Sequence, residues 1–426
     1  MAEEETRGFI GGWMPRNGLM LGLISCLAIN GPSWAADPAQ AKSPMPEESH
    51  DMAKMWQSSL AREPLSVSAT FDASGRLWQA SVKDGRIMVS HSVDEGKSFS
   101  APVMVNPEAE FIAADGENRP KILLAGNGNI YISWTQSLEK PFSGNVRFSR
   151  SVNGGKSFSA PLTVNDNLDP ISHRFEAMGL NGRGQIYLAW LDKRDAAEAN
   201  KKNEPYIGTS VYFAVSDDEG KSFRANRKAI EHSCECCRVA MAMDTDGTPV
   251  IAWRHIYGKN VRDHAMLRLD STSQPIRLSN DNWAVDACPH HGPALSIARD
   301  GVYHFVWFNN APERHGLFYA ASSDQGKNIS VPMNFGNFKS QAAHPNVLSL
   351  GKRVFIAWKE FDGESSGIYL IHSSDGGKLW SAPQKISSTT GTSDHPWLIS
   401  DGKKAWLSWN TFKDGYRLIA LTGAAQ

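Results

Sequence analysis

Five short segments gather the side chains of this chain that are suited to holding a metal. They are His173-Arg174, Cys234-Glu235-Cys236-Cys237-Arg238, Cys288-Pro289-His290-His291, His344-Pro345 and His395-Pro396. Imidazole and thiolate are the donors that late first-row metals prefer, and a metal site requires several of them to converge. The expected ligands are therefore His173, Cys234, Cys236, Cys237, Cys288, His290, His291, His344 and His395. Copper is the expected ion, because it tops the affinity order and suits mixed His/Cys sites, with zinc next. The prolines after His344 and His395 are expected to hold both in extended backbone. Arginines stand at matching places: Arg119 (in Asn118-Arg119-Pro120), Arg174 and Arg238. Their guanidinium forks suit a small anionic ligand. No Cys-x-x-Cys-His haem attachment signal is present, and no nucleotide is expected.

The same cysteines admit a blander reading. In an oxidising compartment they would form two structural disulfides and leave a histidine-only site. A bridge from Cys234, Cys236 or Cys237 to Cys288 is reasonable, whereas adjacent Cys236 and Cys237 would form a strained one. His91, His304 and His372 read as structural, and His255 and His264 as groups standing behind the ligands. Glu176 and Glu235 are near enough in sequence to be considered for proton transfer.

What could bring these segments together is a repeat. Alternating apolar runs end in Trp134, Trp190, Trp253, Trp307, Trp358 and Trp409, and a weaker copy puts Ser81 in the Trp place. Their intervals of 53, 56, 63, 54, 51 and 51 residues suit a radial array of small sheets. The unit after Ser81 reads as four strands, near 121–125, 130–134, 145–150 and 162–165. His173, Cys237, His291, His344 and His395 lie 17, 16, 16, 14 and 14 residues before their Trp, just ahead of each first strand. If that strand is innermost, the ligands ring one mouth of the central channel. Seven such units predict an all-β, seven-bladed propeller, with six blades the alternative. The seventh unit lacks an outer strand, which a segment near 54–62 is expected to supply, closing the ring.

A second repeat marks the turns. SVDEGKSF from Ser92, SVNGGKSF from Ser151, SDDEGKSF from Ser216, SSDQGKNI from Ser322 and SSDGGKLW from Ser373 share Ser, an acid or amide, and Gly at fixed offsets. Four end in an aromatic residue, and the fourth copy has Ile329 instead. Gly supplies a positive φ, the acid or amide bonds backbone, and the aromatic pins the loop. The octet resembles the Asp box (BNR repeat) of the sialidase-like β-propeller superfamily, over roughly residues 63–426. The resemblance implies a propeller; for activity it implies three arginines on a substrate carboxylate, a Tyr–Glu nucleophile pair and an Asp acid. Arg119, Arg174 and Arg238 answer the first requirement in part, but the family's Phe/Tyr-Arg-Ile-Pro segment is missing. Neither Tyr369 nor Tyr416 has an evident Glu partner. A non-sialidase member is the expectation, with an exo-sialidase or a non-catalytic scaffold as alternatives.

The N-terminus reads as a secretory signal over residues 1–35. Arg7 and Arg16 precede an apolar run from Leu19 to Ile29, and Ser33-Trp34-Ala35 precedes the cleavage point. A run of about a dozen residues is too short to span a bilayer. Leu23-Ile24-Ser25-Cys26 offers a lipoprotein anchor as the lesser alternative. Residues 36–53 read as a tether and 54–426 as the propeller, in periplasm or outside the cell. Cleavage would leave 42 of the 44 basic and 42 of the 45 acidic residues, a balance that argues against nucleic acid as partner. An envelope protein or a small anion remains as an expected partner. No transmembrane segment is expected after cleavage.

Overall fold

The computed structural model describes residues 64–421, except residue 271. Antiparallel meanders follow one another, each running from an inner strand outward. Blade one is Ser68–Phe71, Leu77–Lys83, Arg86–Ser92 and Val103–Met104; blade two is Lys121–Leu124, Ile130–Ser137, Gly144–Ser151 and Leu162–Thr163. Blade three is His173–Leu180, Ile186–Asp192, Thr209–Ser216 and Arg227–Ser233; blade four is Ala240–Met243, Pro249–Tyr257, Val261–Arg268 and Ile276–Arg277. Blade five is Ala294–Ile297, Tyr303–Ala311, Arg314–Ser322 and Met333–Phe335. Blade six is Ala343–Leu350, Arg353–Phe361, Ser366–Ser373 and Gln384–Thr389. Blade seven shows three strands, Trp397–Ser400, Ala405–Thr411 and Gly415–Leu421. Each inner strand packs on the next around the circle, and that of blade seven packs on that of blade one. The fold is a closed, all-β propeller. Among the described residues one α-helix, Arg194–Lys201, and one 3-10 turn, Phe338–Ser340, interrupt it, and no helix is long and apolar enough to cross a membrane.

The segments read as signal peptide and tether lie outside the described residues, and so does the expected closing strand near 54–62. At the seam itself, Leu65 carbonyl accepts from Asn410 Nδ2 at 2.9 Å. Ser66 Oγ and Val67 N donate to the Asp394 carboxylate. Blade one is thus bonded to blade seven where its chain enters.

The repeated tryptophans form the spine of the blades. Trp134, Trp190, Trp253, Trp307, Trp358 and Trp409 are all fully buried. Each indole N–H finds an acceptor: Glu110, Asp192, His255, Asp281, Glu360 and the Asp394 carbonyl, respectively. Removing any one should cost roughly 3–5 kcal/mol.

The octet turns join the third strand of a blade to its fourth. In each, the Ser hydroxyl accepts from the Gly N–H and donates to the acid or amide, as Ser216 does with Gly220 and Asp218 at 2.9 and 2.8 Å. The structure adds that these turns are blade-to-blade contacts. Phe223 of blade three meets Phe148 of blade two edge-on at 5.0 Å, and Trp380 of blade six meets Tyr319 of blade five at 4.8 Å. Phe99 of blade one meets Tyr416 of blade seven at 5.8 Å, across the seam. Ile329, in the copy without an aromatic, packs on the blade-four cluster of Val250, Ala252 and Met266.

The metal-type residues ride on the crossovers from an outer strand to the next inner strand. One crossover is anchored unusually well. Ser233 ends blade three yet pairs with His255 of blade four, and Cys234 N donates to Arg254 O at 2.8 Å. This fuses blades three and four into a single eight-stranded sheet and fixes the start of the cysteine run.

Candidate metal centre

Two clusters, rather than one ring, emerge from the nine expected ligands. The first is sulfur-rich. Cys234, Cys236 and Cys237 are buried, with Cys234 Sγ 3.8 Å from Cys236 Sγ and 3.7 Å from Cys237 Sγ. Cys236 also groups with Cys288 and His290, both exposed, so that the donor atoms of that trio lie within 4.8 Å of one another. All four thiols are free. The disulfide alternative therefore has no counterpart in this arrangement.

Cations favour a thiolate here. Arg262 Nη1 donates to Cys234 Sγ at 3.1 Å. Arg254 is buried and donates to the carbonyls of Arg262, His291 and Phe308. Hydrogen bonds from Cys236 and Cys237, then Arg254 and Arg262, hold the Cys234 thiol well below its ordinary pKa. The Cys237 thiol is pushed up, chiefly by burial.

The second cluster is built on Glu117, which sequence reading overlooked. Glu117 is buried in the turn Asp115–Asn118, where its N–H donates to Asp115 Oδ1 at 3.0 Å. Its Oε1 lies 3.1 Å from His344 Nδ1 and 3.7 Å from His395 Nδ1. Arg238 Nη1 donates to the same oxygen at 2.5 Å, and Gly292 N to Oε2 at 2.8 Å. The imidazoles of His344 and His395 stack with centroids 3.4 Å apart and planes 14° from parallel. His291 follows at 4.3 Å from His344. Burial lowers the pKa of all three histidines, that of His291 to about 3. Burial opposes ionisation of Glu117, but Arg238, His344 and His395 outweigh it and hold the carboxyl well below its usual range.

Several expectations are corrected. His173 belongs to neither cluster: it is buried inside a strand, paired with Asp192, with Nδ1 2.9 Å from Gly144 O. Blade three's inner strand continues its pairing past a bulge between Ala189 and Leu191 and so absorbs this residue. His344 is not extended; its φ is 52°, in the left-handed region, despite the following proline. Such backbone costs on the order of 1–3 kcal/mol and persists where the surroundings over-determine it. Nor do the arginines form one clamp. Arg119 is committed to Asp394 at 2.8 Å and to Val67 O, and Arg238 to Glu117. Arg174 is buried with its guanidinium over the Phe175 ring. Glu176 is buried beside Thr135 and Lys121, and Glu235 pairs with Lys193 at the surface.

Beneath the second cluster runs the central channel, a cavity of about 230 Å³. Residues of all seven blades line it, among them Ser68, Glu117, Arg119, Lys121, Arg238 and Trp397. Its charges are largely matched: Arg119 by Asp394, Lys121 by Glu176 at 3.7 Å, and Arg238 by Glu117.

No family model matches this sequence, and no curated protein does. Solved structures do resemble it in shape. An ulvan lyase described as a new polysaccharide lyase family aligns with a TM-score of 0.54 at 9% identity, covering 84% of this chain and 92% of its own. A lectin from Burkholderia pseudomallei aligns at 0.51 with 12% identity, covering 84% and 99%. A Hadza microbial sialidase aligns at 0.50 with 12% identity, covering 80% and 74%. At such identities the likeness concerns the fold alone, and it supports a β-propeller fold.

Proposed function

We propose that this protein is an exported metal-binding propeller whose thiolate cluster holds copper. The carrying observation is that two donor trios, Cys234–Cys236–Cys237 and Cys236–Cys288–His290, meet at the buried Cys236 from two successive crossovers, with Arg262 donating to Cys234 Sγ. Thiolate is a soft donor, and soft donor sets select copper(I) over harder ions, with zinc the nearest competitor. Ligation would also protect these thiols in an oxidising compartment, where free cysteines otherwise pair. A carbohydrate-active reading rests on fold likeness, and the commitment of Arg119 and Arg238 to internal carboxylates weighs against it. Elemental analysis of protein purified from the periplasm, with a free-thiol count, tests the proposal. Near-stoichiometric copper is expected, and its loss in the Cys234→Ser/Cys237→Ser variant. Metal-free protein containing two disulfides would dispose of it.

A further inference from the structure

The geometry points to a second metal site, formed by Glu117, His344 and His395 and suited to a borderline divalent ion of the zinc class, with an open position at the channel. It is independent of the thiolate cluster. The donor sets share no residue and differ in hardness: one is sulfur-rich, the other two imidazoles and a carboxylate. Two histidines and a carboxylate are a known set for catalytic zinc, where three protein ligands leave a coordination position for water or substrate.

Four observations support the assignment. The imidazoles of two different blades are stacked closely and aim their Nδ1 atoms at one carboxylate oxygen, which makes a single focus rather than two separate hydrogen bonds. Nδ1 of His395 is buried and makes no hydrogen bond, a cost that a metal bond would remove. The chain also spends backbone strain to place His344, whose φ is 52°. Finally, Gly116 leaves the space into which His395 fits: a Cβ there would overlap the imidazole ring.

The carboxylate is held as a ligand should be. Arg238 and the Gly292 N–H fix its two oxygens, and Arg238 is itself tied to Pro293 O and Pro345 O. Partners of this kind orient metal ligands and tune their basicity. Glu117 and Arg238 also line the central channel, so an ion beside Glu117 faces a cavity large enough for several waters or a small ligand. His291, whose Nδ1 is buried without a hydrogen bond, stands beside His344 as a further neutral imidazole.

The test loads the full mature protein with copper(I) first and zinc second, then reads the zinc absorption edge and the zinc content. One retained zinc with nitrogen and oxygen neighbours only is expected. Zinc bound to sulfur, or no zinc retained, would overturn the second site. The His344→Asn/His395→Asn variant should lose the zinc and keep the copper; retention of zinc by a variant with unchanged far-UV dichroism also counts against the site. Failure of the thiolate reading looks different, as absence of copper while zinc still shows a sulfur-free shell.

Discussion

Arg119 and Asp394 show how one pair of side chains governs this ring. They are each 2% exposed at the side chain and 2.8 Å apart, and they reach three blades. Arg119 precedes the inner strand of blade two and Asp394 that of blade seven; Val67 of the blade-one entry bonds to both. Burial raises the pKa of the Asp394 carboxyl even though Arg119 opposes it. Desolvation is therefore the larger effect, and the pair's value lies in neither partner being left alone. Asp394→Asn should cost about 3–5 kcal/mol, because it strands a buried guanidinium. Arg119→Met/Asp394→Leu should cost much less. Urea unfolding of both variants checks this, and equal losses in the two would contradict it.

At the scale of the element, the octet turn acts as a staple between blades as well as a hairpin. Gly220 has a φ of 79°, and a Cβ there would stand 2.6 Å from the Phe148 ring of the preceding blade. Gly128 has a φ of 86° in an open turn, with nothing within 4 Å of a Cβ. Gly128→Ala should therefore cost only the left-handed penalty, about 1–2 kcal/mol. Gly220→Ala adds displacement of a packed ring and should cost about 2 kcal/mol more. Equal urea midpoints for the two variants would show that the turn is not a staple. The elements are also where sequence reading succeeded and where it stopped. Trp spacing and the octets revealed the blades because each recurs at a fixed place in the blade, the Trp in six blades and the octet in five, and answers to one local need. The bulges did not show. One lies between Ala189 and Leu191, another between Ala343 and Asn346, and each shifts register where a count from the Trp assumes none. These bulges carry His173 into the inner strand of blade three and place His344 within the irregular stretch that opens blade six. Glu117 is hidden for a different reason: it sits in a turn ahead of Arg119, two residues before the arginine that marks the matching place in the repeat. Its signal, an acid at a crossover position in Asp115-Gly116-Glu117-Asn118, was nonetheless present.

For the whole molecule, closing the blades into a ring also buries histidines that belong to neither metal cluster, and these set its response to acid. His304 is fully buried, and burial pushes its pKa down to about 4 against a weaker pull from Asp300. His255 is likewise lowered to about 4 by burial, then by His232 and Arg277. His264, with neither ring nitrogen hydrogen-bonded, is lowered further by burial, Arg254 and Arg238. In each case the unfolded chain takes up a proton at higher pH than the folded one. Stability is therefore intact above the unfolded value of about 6.5 and falls as pH drops from there toward 4. His255 and His304 should each remove about 2 kcal/mol by pH 5. Carboxylates with lowered values, such as Asp218 at about 2, do not contribute until more acidic conditions. Asp281 and Asp394, raised by burial, act in the opposite sense, and do so nearer their own ordinary range. Between pH 7 and 5 the histidines should dominate. Metal-free protein should lose about 4 kcal/mol or more of urea stability over that interval. His304→Asn, which cannot take up the proton, should reduce the loss by about 2 kcal/mol whatever it does to stability at pH 7. A flat profile would mean that the ring opens enough to hydrate these histidines in the folded state, and the closed, dry blade interior would have to be abandoned.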